Sequence, residues 1–344
     1  MDLVNILNTI HTNASQTYQD RIPEATRTNL EDIRYAMLDD ENVQVANEFV
    51  ATLLNKLVKS VVITKRFENP LKSLKKGNKP LGDTIEEIYN NFVKGQQFNP
   101  AATATELLSR HLPDTKTVYH RMNFQMAYPI TVSREALSKA FKSYDALESY
   151  INDLIAQLWN SADLDEFVNM KQILKAALDA KAMKKVTVAD PLEGDANGKE
   201  FIKAVKTISR LMTFPNSDWN SYLTAQSTDT KPITTFSRKD EQVLIIDAAT
   251  DTSVAVDVLA STFNMSVADF NDTRKIVIDA FPVPTVRAAL VDEMFFQVYD
   301  DSVFLKKFEN ALGAYDNYYL HIWQTMAFSI LVNAVVFDTA ADEA

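Results

Sequence analysis

A long window without helix-breaking residues constrains the fold of this chain most strongly. No glycine occurs between Gly95 and Gly194, and no proline occurs between Pro129 and Pro191. Two apolar stripes at helical spacing fill this window. They comprise Leu147, Tyr150, Ile151, Leu154, Ile155, Leu158 and Ala162, followed by Phe167, Met170, Ile173, Leu174, Ala177 and Leu178. The window therefore predicts helix over about 55 Å, at about 1.5 Å per residue, which suits the spine of an assembly subunit better than a globular enzyme.

The same window contains a signal for an interruption. Asp163 stands three residues before Glu166, the spacing of a capping box, in which two side chains satisfy the free backbone groups at the start of a helix. We therefore expect a kink or a break between Asn160 and Asp163.

A second regular pattern predicts one long strand from Val118 to Tyr128. Apolar and aromatic side chains alternate there with more polar ones at the two-residue period of a strand. The strand would cover eleven residues, about twice the mean strand length.

The remaining patterns indicate an α+β protein. The first 40 residues are polar and predict an extended or loosely helical arm, while a four-residue apolar repeat predicts a helix from Val43 to Val62. Thr84–Val93 fits a helical stripe, although its aromatic residues also permit a strand. In the C-terminal half we expect strands at Lys185–Ala189, Gln242–Asp247, Lys275–Phe281, Ala288–Tyr299 and Met326–Val336, and helices at Lys199–Thr213 and Ser253–Phe263.

Composition narrows the functional classes. The net charge of −11, from 35 basic and 46 acidic residues, argues against a protein whose main task is to grip nucleic acid. Without cysteine the chain has no disulfide, thiolate zinc site or cysteine nucleophile. Met1–Ile10 lacks the features of a signal peptide, and polar side chains interrupt Leu320–Phe337 too often for a membrane span. We expect a protein made in the cytoplasm, with no membrane partner.

A search for catalytic and cofactor motifs yields no candidate. The six glycines are too widely spaced for a phosphate-binding or dinucleotide-binding loop. A calcium loop beginning at Glu193 would need a bidentate glutamate where Ala204 stands, and the four histidines lack zinc-site spacing. We therefore predict no catalytic residue, no metal and no cofactor. A hydrolase site assembled in space from aspartates and glutamates remains a rival hypothesis.

One cluster of positive charge interrupts the acidic chain. Between Lys65 and Lys79 lie six basic residues and a single acid, Glu68, and the turn residues Gly77 and Asn78 predict an exposed loop. Such a loop either contacts an acidic neighbour or DNA, or it is a solvated lysine loop without a partner. The candidate contacts are Lys72, Lys75, Lys76 and Lys79.

Four segments of the chain, in order, carry a resemblance to a known family. They are NPLKSLKKGNKPLGDTIEEIY (69–89), NSADLDEFVNMK (160–171), VDVLASTFNMSVADF (256–270) and YYLHIWQTMAFSILVNAVVF (318–337). Together they resemble the major head proteins of small short-tailed phages of Gram-positive bacteria, the group that includes the Bacillus phage phi-29. The resemblance spans most of the chain.

The resemblance implies an α+β fold of the Hong Kong 97-like phage capsid type. Under it, Thr84–Val93 becomes the first strand of an extended loop rather than a helix. The chain ends seven residues past Phe337, which predicts a subunit without an additional immunoglobulin-like domain, and no covalent crosslinking site can be matched. The implied parts are an N-terminal arm at 1–40, a peripheral-domain helix and basic loop at 41–79, an extended-loop hairpin at 80–130, a peripheral domain with a spine helix at 131–190, an axial domain at 191–292, and return strands of the peripheral domain at 293–344.

The resemblance also implies a function, that of a major capsid protein of the virion. Copies of the chain would assemble in the host cytoplasm into pentamers and hexamers around double-stranded DNA, with a scaffolding protein and a portal or connector as further partners. An encapsulin-like nanocompartment shell of the same fold is the alternative. The candidate contacts between subunits, on the extended loop, are Val118, Met122, Phe124 and Met126.

Overall fold

The computed structural model of the chain falls into two compact units. It describes residues 3–38, 45, 48–50, 52, 67–79, 84–97, 100, 108–140, 144–225, 231–261, 274–310, 312–313 and 315–340. The first unit takes residues 1–69, 124–166 and 300–324, and the second takes residues 70–123, 167–299 and 325–344. Most of the helix predicted at Val43–Val62 lies outside the described residues.

The described helices confirm most of the helical predictions. Their bounds are α1 Leu3–Asn13, α2 Gln16–Arg21, α3 Leu30–Leu38, α4 Arg134–Ala140, α5 Tyr144–Asp179, α6 Asp195–Leu211, α7 Tyr222–Ala225 and α8 Ala248–Ser261. Single 3-10 turns occur at Pro70–Leu74, Pro191–Glu193 and Lys239–Glu241. No helix among the described residues has both the length and the apolar character that crossing a membrane requires.

The described strands form three sheets. Their bounds are β1 Thr84–Asn90, β2 Thr115–Arg121, β3 Phe124–Ser133, β4 Lys184–Thr187, β5 Gln242–Asp247, β6 Arg274–Ile278, β7 Val286–Asp292, β8 Phe296–Asn310, β9 Tyr315–Phe328 and β10 Ala334–Asp338. The sheet orders are β1-β2, β3-β9-β8 and β4-β10-β7-β5-β6. The five-stranded sheet is mixed, because β4 and β10 are parallel, as are β5 and β6, while β7 is antiparallel to both of its neighbours.

The N-terminal segment belongs to the core of the first unit. Ile10 and Met37 are fully buried, and they pack in one apolar cluster with Leu158 of α5 and Leu320 of β9. The described residues of the expected arm are therefore helical rather than extended, and they pack into the core instead of lying loosely. The few apolar positions in this polar segment recur at helical spacing, so α1, α2 and α3 can each bury one face.

The five-stranded sheet is the core of the second unit. Every residue of β5 is buried, as expected for a strand covered on both faces. Helix α6 covers one side, where Phe201 meets Phe337 edge to face with ring centroids 5.8 Å apart. An aromatic pair in this geometry contributes about 0.5–1.5 kcal/mol beyond the apolar area that it buries.

Of the kink or break expected near Asn160–Asp163, the break is wrong and the kink stays a prediction. Helix α5 runs through all 36 residues from Tyr144 to Asp179. Glu166 does not turn back to cap a helix start. It is buried and accepts hydrogen bonds from the side-chain amides of Asn69, at 3.0 Å, and Gln324, at 2.7 Å.

The prediction of one strand from Val118 to Tyr128 is also wrong, since β2 ends at Arg121 and β3 begins at Phe124. The alternation continues across the gap because each strand alternates on its own. At the gap, the Asn123 side chain bonds the backbone of Met326 in both directions at 2.8 Å. The alternation of apolar and polar residues cannot reveal these bonds, because they depend on the side-chain amide of Asn123.

Three further expectations change in the structure. Thr84–Asn90 is a strand, as the resemblance implied, so the helix preference for that segment is wrong; pairing with β2 overrides the local pattern. The strand expected over Ala288–Tyr299 divides into β7 and β8, and the one over Met326–Val336 divides into β9 and β10. The last strand, β10, pairs with β4 and β7 in the five-stranded sheet.

Candidate interaction site: the β1–β2 hairpin

The antiparallel pair β1–β2 is the described part of the expected extended loop. Its register runs from Thr84 opposite Arg121 to Asn90 opposite Thr115. In such a ladder alternate residues of each strand share one face, so the pair has an inner face and an outer face. Within the 80–130 that the resemblance implied for the extended loop, the described pair covers 84–90 and 115–121.

The inner face is fixed to the second unit by polar contacts. His120 lies diagonally across the strands from Glu87, with an Nε2–Oε2 distance of 3.0 Å. The other oxygen of Glu87 accepts a hydrogen bond from the hydroxyl of Ser329. The Tyr89 hydroxyl donates to the carbonyl of Thr234, and burial raises the pKa of this phenol. These contacts hold the hairpin against the body of its own unit.

One asparagine joins the two strand ends to a neighbouring segment. The Asn91 amide nitrogen donates to Asp114 and to the carbonyl of Pro232, both at 3.2 Å. Its side-chain oxygen accepts from the backbone N–H of Thr234 at 3.1 Å. Because one side chain makes all three bonds, the end of the hairpin is held in a defined position.

Large apolar side chains are exposed on the outer face of the hairpin and in the segments that follow β1 and precede β2. Ile88 is 57% exposed and Tyr119 is 62% exposed. We call the set the outer apolar strip. It comprises Ile88 and Tyr119 on the strands and Phe92, Val93, Leu108 and Leu112 toward the tip. A solvated sheet face is normally polar, so large apolar side chains exposed there are unusual, and exposed apolar surface can mark an interaction site.

The structure distributes the predicted contact residues over different places. Val118 stands opposite Glu87 and is half-buried on the inner face, and Met122 lies in the gap after β2. Phe124 and Met126 belong to β3, which pairs with β9, on the same strand face as the buried Tyr128. None of the four lies in the outer apolar strip.

Sequence reasoning missed Ile88 and Tyr119. The helix preference for Thr84–Val93 hid the outward position of Ile88. In the predicted long strand Tyr119 falls among the more polar alternate positions, whereas the buried position of β2 is the polar His120. If β1 had been predicted as a strand, the two-residue period would have placed Ile88 on the outer face.

The basic cluster is partly used within the subunit. Lys72 is exposed on the Pro70–Leu74 turn, while Lys75 and Lys79 are half-buried. The Lys76 ammonium donates to the carbonyl of Glu293 at 2.8 Å, and burial lowers its pKa, although Glu293 and Asp292 oppose that shift. Lys76 therefore serves its own unit, which weakens the prediction that it contacts a neighbour or DNA.

No group of three or more aspartate, glutamate or histidine side chains among the described residues is arranged to hold a metal ion. Two of the histidines make packing or polar contacts instead. His321 stacks on Phe304 at 4.7 Å between ring centroids, and His120 contacts Glu87.

A family model of Phi29-like phage major capsid proteins matches residues 7–338. The chain belongs to this family. It is 34% identical over 335 residues to the major capsid protein of Bacillus phage PZA, an alignment that covers 97% of this chain and 72% of the relative. It is also 34% identical over 323 residues to the major capsid protein of Bacillus phage GA-1, covering 92% of this chain and 66% of the relative.

A solved structure supports the fold of this phage major capsid protein. The capsid structure of Staphylococcus phage Andhra matches it with a TM-score of 0.65 at 13% identity, over 82% of this chain and 87% of that chain. The family and the α+β Hong Kong 97-like fold that the four segments implied are therefore confirmed. The family is one of structural, shell-forming proteins.

Proposed function

We propose that copies of this capsid protein assemble through the β1–β2 hairpin into pentamers and hexamers, which tile the head shell around the packaged double-stranded DNA. The observation that carries the proposal is the outer apolar strip, with Ile88 at 57% and Tyr119 at 62% exposure. A neighbouring copy that covers the strip removes this surface from water. Each contact is heterologous, so it closes into rings when the rotation between copies allows it.

The anchoring of the hairpin supports this role. Glu87, Tyr89 and Asn91 each bond the body of the subunit, so the strip is presented in one position before a neighbour arrives. Preorganisation reduces the entropy lost on association. Many interfaces of modest size, about 1,000 Å² or more each, can then make a durable shell without covalent links.

The further partners of the proposal follow from family membership. A scaffolding protein and a portal or connector would guide assembly in the host cytoplasm. Lys72, which is exposed, remains the member of the basic cluster best placed for contact with a neighbour or with DNA through its charge alone.

Substitution in the strip tests the hairpin contact. Ile88→Lys places a charge where a neighbour is expected to cover an apolar side chain, and burying an unpaired charge is costly. We expect this variant to sediment as small species under conditions in which the wild type forms large particles. The control is Val168→Lys, at a 41% exposed valine of α5, which should assemble as the wild type does. Particles of normal size from Ile88→Lys would refute the hairpin contact.

The contents of the particles separate the capsid from a nanocompartment of the same fold. A capsid that receives its genome holds double-stranded DNA, which nuclease cannot reach until the shell is opened. An encapsulin-like shell would hold a cargo enzyme and no DNA. Extraction of nucleic acid and protein from particles purified from infected cells decides between the two.

A further inference from the structure

Helix α6 carries a line of positive charge on its exposed side. The line, which we call the α6 basic stripe, comprises Lys199, Lys203, Lys206 and Arg210. At 100° per residue these side chains fall within about 60° of one another around the helix axis, over about 16 Å of its length. Lys206 is half-buried and the other three are exposed.

Packing of α6 explains why the stripe faces outward. Phe201, Val205 and Ile208 lie on the opposite side of the helix and are buried against the five-stranded sheet. The stripe is therefore held on a rigid element whose orientation is set by the core of the second unit. Its four charges keep a fixed spacing along the helix.

The stripe lacks the counter-charges that other cations of the unit have. Lys171 lies 2.7 Å from Asp279, and Lys275 lies 2.8 Å from Asp251. For the four stripe residues, the described part of the chain provides no ion pair. The carboxylates on α6 itself, Asp195 and Glu200, pair with none of the four. Four uncompensated cations in a row are unexpected in a chain of net charge −11.

We infer that the α6 basic stripe is a docking surface for the phosphate backbone of double-stranded DNA. The inference deepens the proposed function, on which it rests, by naming the surface that meets the packaged genome. Three of the four residues are lysines, which are depleted in protein–protein interfaces but contact phosphates as point charges. DNA offers one negative charge about every 1.7 Å of its axis, so a 16 Å line of cations can meet several phosphates at once.

The small number of charges fits a wall that does not hold DNA tightly. About four phosphate contacts make binding reversible, independent of sequence and strongly dependent on salt. Because the rest of the subunit carries a net negative charge, it repels DNA, and contact with DNA is limited to the stripe. The stripe would thus position the outer layer of DNA while letting it slide.

Binding of the unassembled full-length chain to a mixed-sequence duplex of about 30 base pairs tests the inference. Fluorescence anisotropy between about 50 and 200 mM potassium chloride should show affinity falling about 100-fold, since each neutralised phosphate contributes about 0.9 to the salt exponent. The variant K199Q/K203Q/K206Q/R210Q should lose at least tenfold in affinity at the lower salt and most of the salt dependence.

Two controls make the result decisive. The variant K139Q/K175Q/K306Q/K307Q removes the same charge away from α6 and should bind DNA as the wild type does; an equal loss in both variants would assign the effect to net charge and overturn the inference. A polyglutamate peptide is the second probe. If it competes with DNA charge for charge and loses affinity equally in the stripe variant, the stripe is a site for acidic protein instead.

Assembly, measured in parallel, separates this inference from the proposed function. A wild-type chain that forms no shells but binds DNA through the stripe would refute only the proposed function. Normal shells together with unchanged DNA binding by the stripe variant would refute only the stripe.

Discussion

At the scale of single residues, a buried polar network joins the sheet of the second unit to the segment that holds the hairpin. Ser237 donates to the carboxylate of Asp292 at 2.5 Å and accepts from the amide of Asn333 at 3.2 Å. Thr235 donates to Asn333 and accepts from Asn220. Every member is buried, and a buried polar group without its partner costs about 1–3 kcal/mol, so the network fixes the 231–237 segment that Tyr89 and Asn91 bind.

This network could not be predicted from the sequence. Ser237 and Asp292 are 55 positions apart, and Thr235 and Asn333 are 98 apart. Serine, threonine and asparagine in irregular segments read as turn residues. Only the tertiary fold shows that these side chains bond one another instead of solvent.

The titration of Asp292 gives a prediction at this scale. Burial raises its pKa above the ordinary 3.8, although hydrogen bonds from Ser237 and Met294 oppose the shift. Between 3.8 and the raised value the folded chain keeps a proton that the unfolded chain has lost. The contribution of this group to the free energy of unfolding therefore falls as pH rises through that window and stays low above it.

Asp292→Asn should remove this dependence, because the amide stays neutral and can still accept from the Met294 N–H. Unfolding by urea at several pH values from about 4 to about 7 should give a flatter profile for the variant, with its stability relative to the wild type increasing with pH. Asp218→Asn, at an exposed carboxylate, controls for the loss of one charge. If the free energy of unfolding changes with pH equally in the wild type and in Asp292→Asn, the assignment of this pH dependence to Asp292 is contradicted.

At the scale of elements, periodicity identifies elements but misjudges where strands begin and end. Strand β5 was predicted with its observed bounds, Gln242–Asp247, because a fully buried strand is a short apolar run between polar residues. Where one strand gives way to another, as at Asn123, the deciding bonds come from distant backbone atoms. The same limit explains the false break in α5, since the partners of Glu166 are Asn69 and Gln324.

A proline in α5 tests its continuity. Leu164 is 50% exposed, so its substitution loses little packing. If Asp163 began a new helix, Leu164 would be the first helical position, where proline is tolerated. In a continuous helix Leu164→Pro removes a backbone hydrogen bond and clashes with the preceding turn, at a cost of about 3 kcal/mol or more.

Thermal and urea unfolding of the subunit should therefore show a large loss of stability for Leu164→Pro. Leu164→Ala, the matched control, should stay within about 0.5 kcal/mol of the wild type. Equal stability of the proline and alanine variants would mean that the helix is interrupted at this point.

At the scale of the whole molecule, residue patterns led only to an α+β protein without a recognisable catalytic motif. Family resemblance supplied the fold, because the arrangement of the sheets depends on pairings between strands that are far apart, such as β10 with β4. The interaction site was harder to predict from the sequence than the fold. An interface between copies shows in one chain as exposed apolar surface, and exposure at Ile88 or Tyr119 depends on which face of the hairpin packs on its own unit.

The central claim is that copies of this chain build a closed shell in which the hairpin of each subunit lies on its neighbour. Cryo-electron microscopy of the chain co-expressed with the scaffolding protein of a Phi29-like phage tests it most directly. We expect closed particles built from rings of five and six subunits, with Ile88 and Tyr119 covered by an adjacent copy. Particles in which the outer apolar strip faces solvent, or a chain that stays monomeric at high concentration with scaffold present, would contradict the account.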